Sequence, residues 1–255
     1  MTIVINELGQ MSNKNPKTRL YVQTELKAGA VILVENGQGH YLVNVMRINM
    51  GDYVSLFNGE QGEWIAETTK VGKGKANVTV REKVADQIFE TDLWYLFAPI
   101  KKARLDYMMQ KATELGVNLI RPVKTERTNL DRLKFDKLQA NAVEAAEQCG
   151  RMTVPAIGGM TSLSDLLSEW PEDRKLIFCD EAGDAVQLKD IKELNAKWAI
   201  LIGPEGGFTD QERQMIRSHK NSVAVTLGPR ILRADTAAVV ALSLWQSFIG
   251  DWSNE

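Results

Sequence analysis

The stretch that decides the fold of this chain is Ile200-Leu-Ile-Gly-Pro-Glu-Gly-Gly-Phe-Thr-Asp-Gln-Glu212. An apolar strand runs into the turn Gly203-Pro204-Glu205-Gly206-Gly207, and a helix follows. Three glycines in five residues allow the backbone to approach another group closely. Thr209 followed three residues later by Glu212 predicts a capping box at the start of the helix. Such strand–helix turns are common in α/β proteins, so a ligand-binding turn and a plain connection are both open at this point.

A second segment has the same organisation: Leu227-Gly-Pro-Arg-Ile-Leu-Arg-Ala-Asp-Thr-Ala237. It leaves a predicted strand, turns at Gly228-Pro229 and enters a helix. The carboxyl ends of parallel strands lie at one edge of a sheet, where open α/β sheets bind ligands. Arg230, Arg233 and Asp235 are therefore candidate site residues, and surface ion pairing of the arginines is the alternative.

The usual nucleotide-binding signatures do not occur. The chain has no G-x-x-x-x-G-K-[ST] sequence for a phosphate-binding loop. Gly37-x-Gly39 and Gly72-x-Gly74 lack the third glycine of a dinucleotide fingerprint, and we interpret both as turns. A ligand at Gly203–Gly207 is therefore expected to be held by its base and sugar, not by a pyrophosphate.

The chain from about residue 93 onward alternates strand and helix patterns, which predicts an α/β domain with a mainly parallel sheet. The predicted strands are Leu93–Ile100, Asn118–Val123, Lys175–Cys179, Ala199–Ile202 and Val223–Leu227, and the predicted helices are Arg104–Leu115, Phe135–Gln148, Asp210–Ser218 and Ala234–Phe248.

The first 85 residues are β-rich and predict a small barrel of five short strands. A helix is expected at His40–Ile48, with Tyr41, Val45 and Ile48 on one face. The polar stretch Arg81–Thr91 marks the boundary between the two domains. The predicted strands are Leu20–Val22, Val31–Val34, Tyr53–Phe57, Trp64–Thr68 and Ala76–Val80.

Composition limits the function classes. The 255 residues are 44% hydrophobic and 25% charged, with a net charge of −2, which is typical of a globular protein. Residues 95–151 carry 11 basic and 7 acidic side chains, a local excess that suits a polyanionic partner. Two cysteines and two histidines exclude a disulfide framework and a zinc-ligand spacing. With no apolar run of membrane-spanning length and no secretory start, we expect a cytoplasmic protein.

The two segments above, together with several further elements that occur in the same order along the chain, resemble the motifs of the RsmE family of SPOUT methyltransferases. The two decisive segments are Ile200–Glu212 and Leu227–Ala237. Within the second of them, Asp235 stands where the family usually has glutamate, and Met1–Asn15 does not match the start of the family. The other similar elements are His40-x-x-x-Asn44-Val45-Met46-Arg47, Gly51-Asp52, Phe57-Asn58-Gly59, Lys111-Ala-Thr-Glu-Leu-Gly-Val117, Glu126-Arg127 and Glu144-Ala-Ala-Glu-Gln-Cys-Gly-Arg151.

The resemblance implies a PUA-like RNA-binding β-barrel at residues 1–85 and a trefoil-knot methyltransferase domain at 86–255. It also implies a homodimer and S-adenosyl-L-methionine as the cofactor, with no metal and no membrane. The residues it assigns to cofactor binding are Leu201, Ile202, Gly203, Pro204, Gly206, Gly207, Leu227, Gly228, Ile231, Leu232 and Thr236.

The activity that the resemblance implies is methylation of N3 of a uridine in 16S ribosomal RNA. This nitrogen must lose a proton, so a general base or a cation that stabilises the anion should assist. Arg233 is the first candidate for the cation and Glu205 for the base, while Glu126 and Arg127 are weaker candidates. Pairing of Glu205 with an arginine is the structural alternative. The expected RNA-binding residues are Lys14, Lys17, Arg19, Arg47, Lys101, Lys102, Arg104, Arg127 and Arg151.

Two other functions remain open from the sequence. One is ribose 2′-O-methylation of another RNA by the same fold, and the other is a non-catalytic RNA-binding or ribosome-assembly factor. The intact segments Gly203–Gly207 and Leu227–Thr236 argue against loss of the cofactor site.

Overall fold

The computed structural model describes residues 14–100, 102–128, 132–180, 185–191 and 196–254. The chain forms two compact units. The first unit contains the residues up to Phe89 together with 146–154, and the second contains Glu90–Ala145 and the chain from Pro155 onward. The return of 146–154 to the first unit was not predicted, because it depends on contacts between residues more than 100 positions apart.

The first unit is a five-stranded sheet with the order β1-β3-β4-β5-β2. Strands β1 and β3 are parallel, and the other pairs are antiparallel. One face buries an apolar core that includes Leu20, Val54 and Val78. The strands are β1 (Arg19–Tyr21), β2 (Val31–Val34), β3 (Tyr53–Phe57), β4 (Glu63–Gly72) and β5 (Lys75–Ala85).

The predicted helix His40–Ile48 is wrong in its bounds and in its buried face. Helix α1 spans Asn36–His40 and continues as one π-helical turn over Tyr41–Val45, with Met46 N donating to Tyr41 O at 2.9 Å. The i→i+5 spacing of that turn shifts the side chains around the axis. Leu42 and Ile48 are buried as a result, whereas Val45 is exposed.

Gly39 lies inside α1 and not in the turn that we expected from Gly37-x-Gly39. A Cβ added at Gly39 would come within 2.4 Å of Gly74 O and 2.9 Å of Val34 O. Close approach of α1 to two backbone oxygens therefore requires glycine at this position.

The second unit is an α/β domain built on an eight-stranded sheet in which every strand pairing is parallel. This confirms the predicted fold class. The strand order is β11-β13-β10-β12-β6-β7-β8, and β9 pairs with β7. The strands are β6 (Leu93–Phe97), β7 (Leu119–Lys124), β8 (Ala156–Ile157), β9 (Thr161–Ser162), β10 (Arg174–Cys179), β11 (Val186–Gln187), β12 (Lys197–Ile202) and β13 (Ser222–Thr226).

Helices cover both faces of this sheet. One core cluster joins the sheet residues Tyr95 and Trp198 to Trp245 of the last helix. The other joins Leu201 to Leu166 and Ile216 on the opposite side. The helices are α2 (Lys102–Glu114), α3 (Phe135–Cys149), α4 (Leu163–Ser168), α5 (Asp210–Ser218) and α6 (Ala234–Phe248), with short 3-10 turns at Leu188–Asp190 and Asp251–Asn254.

Helices α5 and α6 have the predicted bounds, whereas β8, β9, β11 and α4 were missed. The missed strands have two residues each, and α4 has six. Such lengths are too short to show hydrophobic periodicity. Helix α4 begins through a local contact, since Ser162 Oγ accepts from Asp165 N at 3.1 Å.

Candidate active site

A cavity of about 510 Å³ opens at the carboxyl edge of the adjacent strands β13, β10 and β12. Its volume lies within the usual range for small-molecule sites. The two decisive segments and the end of β10 form its walls. The lining residues are Arg104, Cys179, Asp180, Ile202–Glu205, Gly207, Phe208, Arg213, Val225–Gly228, Arg230–Ala234 and Ala237.

Most of the predicted cofactor-binding residues line this cavity, and so do Glu205 and Arg233. Three do not. Leu201 is fully buried in β12, and Thr236 is exposed on α6. A Cβ at Gly206 would face the aliphatic part of Arg127 at 3.5 Å. The predicted residues that line the cavity are Ile202, Gly203, Pro204, Gly207, Leu227, Gly228, Ile231 and Leu232.

The glycines at the cavity are required for two different reasons. Gly207 and Gly228 have φ values of +69° and +112°, which side-chain-bearing residues rarely adopt, and the Cβ direction of each meets open space. Gly203 has an ordinary φ, but an added Cβ would lie 2.6 Å from the ring of Phe208. Gly203 therefore permits packing of Phe208 in the core beneath the turn.

The Gly203–Gly207 turn is fixed from both ends. The predicted capping box is confirmed: Glu212 N donates to Thr209 Oγ1 at 3.2 Å, and Thr209 N donates to Glu212 Oε2 at 2.9 Å. Glu126 N donates to the other Glu212 oxygen at 2.9 Å. Arg127 donates to Gly206 O at 2.7 Å. The Glu126-Arg127 pair therefore holds the turn in place.

Glu205 and Asp235 share a guanidinium partner, Arg104 of α2. Arg104 Nη1 donates to Glu205 Oε1, and Arg104 Nε lies 3.6 Å from Asp235 Oδ2. We expected Arg104 to contact RNA. In the structure it connects the Gly203–Gly207 turn to the first turn of α6, which is the arginine pairing raised above as the alternative for Glu205.

Arg233 stands immediately before α6 as its N-terminal cap residue, and its side chain makes no capping hydrogen bond. It is exposed, and so is Arg230. Within the part of the chain that the structure describes, neither guanidinium has a carboxylate partner within 4 Å. Two arginines that form no ion pair among the described residues therefore border the cavity.

A buried charged cluster at the end of β10 was missed by the sequence analysis. The Asp180 side chain is 1% exposed, with Arg217 Nε at 2.8 Å and Arg213 Nε at 3.6 Å. Burial, followed by the charge of Asp180, raises the pKa of the neighbouring Cys179 thiol to about 12. The Cys179 thiol is therefore protonated at neutral pH, so this residue of the cavity wall is not a nucleophile. The position of Asp180 after a buried strand was the available signal.

Several predicted RNA-binding residues have structural partners instead. Arg19 Nε and Nη2 each lie 3.0 Å from a Glu63 carboxylate oxygen, and its Nη1 donates to Ala146 O at 2.9 Å. Its remaining bonds reach the carbonyls of Glu147, Gly150 and Arg151 at 3.4, 3.2 and 3.1 Å. Arg19 therefore caps the carbonyls at the end of α3.

Some of the other predicted RNA-binding residues are also bonded to protein groups, and others are exposed. Arg151 is 8% exposed and donates to Thr153 Oγ1, so it is not available to a phosphate. Lys14 and Lys17 form surface ion pairs with Glu82 and Asp52, which are weak enough to rearrange. Arg47 is exposed, has a left-handed φ of +49° and forms no ion pair within the described ranges. Lys101 and the side chain of Lys102 lie outside the described residues.

Two further observations bear on the kind of site. Among the described residues, no group of three or more histidine, cysteine, aspartate or glutamate side chains could hold a metal ion. No helix in the same set is long and apolar enough to cross a membrane.

Comparisons with known proteins agree with this architecture. A family model described as an RNA methyltransferase domain matches residues 88–246, and an RNA methyltransferase PUA domain matches residues 34–81. The chain is 30% identical over 229 residues to ribosomal RNA small subunit methyltransferase E of Rickettsia conorii, covering 88% of this chain and 93% of that protein. It is 30% identical over 218 residues to the protein of the same name from Bacillus subtilis, covering 80% and 85%.

Two solved structures have the same fold. The small subunit methyltransferase E of Neisseria gonorrhoeae bound to S-adenosyl methionine has a TM-score of 0.84 and 30% identity, covering 92% of this chain and 99% of that one. A putative methyltransferase from Legionella pneumophila in complex with the same cofactor has a TM-score of 0.83 and 32% identity, covering 92% and 98%. The chain therefore belongs to the family of ribosomal RNA small subunit methyltransferase E proteins.

Proposed function

We propose that this protein transfers a methyl group from S-adenosyl-L-methionine to N3 of a uridine in the 16S ribosomal RNA of the small ribosomal subunit. The observation that carries the proposal is the cavity between the two decisive segments, in a chain of this family. From the resemblance we further propose that these segments belong to a trefoil knot and that the protein acts as a homodimer in the cytoplasm.

The residues at the cavity fit the cofactor. The left-handed glycines Gly207 and Gly228 leave space beside the backbone, where a base and a ribose can be bound by peptide groups. Ile202, Leu227 and Leu232 supply apolar wall for the base. When bound, the cofactor supplies an electrophilic methyl group. The task of the protein is then to hold acceptor and donor in line, which contributes by proximity.

The groups that act on the uridine are proposed to be Arg233 and Glu205. Arg233 lines the cavity without a carboxylate partner in the described residues, so its donors are available to an anion. A guanidinium beside the uridine stabilises the negative charge that develops as N3 loses its proton. Glu205 is proposed to accept that proton, and Arg104 fixes the orientation of its carboxylate.

The RNA must present an unpaired uridine, because N3 lies on the Watson–Crick edge and is hidden in a base pair. Exposed cations without carboxylate partners are the best candidates to hold the phosphates. Within the described part of the chain, Arg47 in the first unit and Arg230 in the second are among the exposed arginines that meet this condition. We propose these two in place of Arg19 and Arg151.

Mass mapping of 16S ribosomal RNA from a deletion strain tests the reaction. We expect loss of one N3-methyluridine and its restoration by the purified protein with S-adenosyl-L-methionine. Loss of a ribose methyl group with N3 methylation retained would instead establish the 2′-O-methyltransferase alternative. Calorimetry tests the non-catalytic alternative, because a folded protein that does not bind the cofactor cannot carry out the reaction.

A further inference from the structure

One arginine in the cavity wall differs from the others in its surroundings. Arg213 lies in α5, its side chain is 32% exposed, and it lines the cavity. Its Nε is enclosed and makes no hydrogen bond within the described residues. The nearest carboxylate oxygen, Asp180 Oδ1, is 3.6 Å from this Nε, which is beyond hydrogen-bond distance.

The ion pair with Asp180 positions Arg213 without a hydrogen bond from the Arg213 guanidinium. The carboxylate of Asp180 is 1% exposed, and its other oxygen accepts from Arg217 Nε at 2.8 Å. Two guanidinium groups therefore face one carboxylate, and Arg217 is the one that is hydrogen-bonded to it. Arg217 does not line the cavity, whereas Arg213 does. The cavity wall thus contains a half-enclosed guanidinium that forms no hydrogen bond within the described residues. Its Nε is buried, so the terminal nitrogens are the donors that a ligand would meet.

The remaining cavity arginines do not share this environment. Arg104 is bonded to Glu205, and Arg230 and Arg233 are exposed. A half-enclosed guanidinium selects an anionic partner, and a carboxylate matches its fork of donors. In S-adenosyl-L-methionine, the base and the ribose are neutral, and the sulfonium and α-ammonium groups are positive. The α-carboxylate is its one anionic group.

We propose that Arg213, oriented by Asp180, binds the α-carboxylate of the amino-acid part of the cofactor. This inference rests on the proposed function for the identity of the ligand. It assigns the Arg213 side of the cavity to the amino-acid end, and it leaves the Gly207 and Gly228 backbone for the base and ribose. Recognition of the carboxylate then becomes a property of a side chain of α5.

The test compares two ligands that differ only in this carboxylate: S-adenosyl-L-methionine and its decarboxylated form. Calorimetry on the full-length protein measures both affinities for the wild type and for Arg213→Met. A hydrogen bond to a charged group is worth about ten- to a hundredfold in affinity. We therefore expect the wild type to favour S-adenosyl-L-methionine by this factor. In Arg213→Met, this preference should disappear while the affinity for the decarboxylated ligand is nearly unchanged.

The matched control is Arg230→Met, which removes an exposed arginine from the same cavity. It should retain the full preference for S-adenosyl-L-methionine. If both variants lose the preference equally, the preference comes from the overall positive charge of the cavity and not from a direct contact with Arg213, which would overturn the proposal. Arg213→Lys keeps a charge beside Asp180 if the methionine variant does not fold, and it should lose part of the preference. An Arg213→Lys variant with the full preference would also overturn the proposal.

Three further outcomes would overturn the proposal in different ways. If Arg213→Met keeps its preference but loses RNA affinity, Arg213 binds a phosphate of the RNA. If the wild type binds both ligands equally, no side chain recognises the carboxylate, and the proposed function stands without this subsite. If the folded wild type binds neither ligand, the proposed cofactor itself is wrong.

Discussion

Replacing Arg104 with methionine tests whether this residue holds the active-site turn or binds RNA. The substitution removes the hydrogen bond to Glu205 and the 3.6 Å ion pair with Asp235 and keeps most of the aliphatic volume. A hydrogen bond to a charged group is worth about 1.5–3 kcal/mol, and an exposed ion pair about 0.2–1 kcal/mol. The side chains of Arg104 and Glu205 are 33% and 44% exposed, so screening by solvent places their coupling at about 1 kcal/mol.

A double-mutant cycle isolates that coupling. Urea unfolding of the wild type, Arg104→Met, Glu205→Gln and the double variant is measured at one protein concentration, because the homodimer proposed above would make stability depend on concentration. We expect the sum of the two single losses in the free energy of unfolding to exceed the loss in the double variant by about 1 kcal/mol. A coupling below about 0.3 kcal/mol, the level of distant independent sites, would refute the structural role.

RNA binding separates this account from the sequence-based prediction for Arg104. A residue that contacts one phosphate reduces the slope of log K against log[salt] by about 0.7–0.9 when it is removed. If Arg104 holds the Glu205 turn, Arg104→Met should leave this slope unchanged and weaken cofactor binding. A reduced slope with normal cofactor affinity would restore the phosphate contact that we predicted from the sequence.

Four further predictions concern separate parts of the chain. Arg233→Ala should lower single-turnover rates at saturating ligands by on the order of 10²-fold while cofactor affinity changes far less, and lysine should rescue it only partly. Gly228→Ala should cost about 1–3 kcal/mol and weaken cofactor binding in titrations, because its φ is +112°, whereas Gly206→Ala should be nearly neutral in the same assay. Arg19→Met should lower the free energy of unfolding in urea by about 3 kcal/mol, since it removes the cation that pairs with Glu63 and the donor of the carbonyls at the end of α3. A thiol reagent at pH 8 should not modify Cys179 in the folded protein, because its pKa is about 12; peptide mapping that finds it labelled would contradict this.

The features that the sequence predicted correctly are those determined by neighbouring residues. The capping box needs only Thr209 and Glu212, which are three positions apart, and it forms as expected. The start of α5 follows from its capping box, and the extents of α5 and α6 follow from their apolar spacing. The helix at His40–Ile48 was wrong because a π-helical turn at Tyr41–Val45 changes the periodicity on which the prediction relied.

Side-chain partners could not be predicted, because they join residues far apart in the chain. Arg104 and Glu205 are separated by 101 positions, and Arg19 and Ala146 by 127. Sequence alone does not distinguish an arginine that will meet a carboxylate or a helix end from one that stays unpaired. The positive charge of residues 95–151 therefore indicated an RNA surface more extensive than the structure supports, since Arg104, Arg127 and Arg151 have protein acceptors.

The acceptors that the fold provides decide which arginines are available to ligands. An arginine bonded to a carboxylate or to carbonyls must lose those bonds before it can bind a phosphate, and an unpaired one loses none. Among the cavity residues that the structure describes, Arg213, Arg230 and Arg233 have guanidinium groups without hydrogen bonds to the protein. Their environments differ: Arg213 is half-enclosed beside Asp180, and the other two are exposed. That difference is the physical reason to assign Arg213 to a small carboxylate and the exposed pair to the RNA.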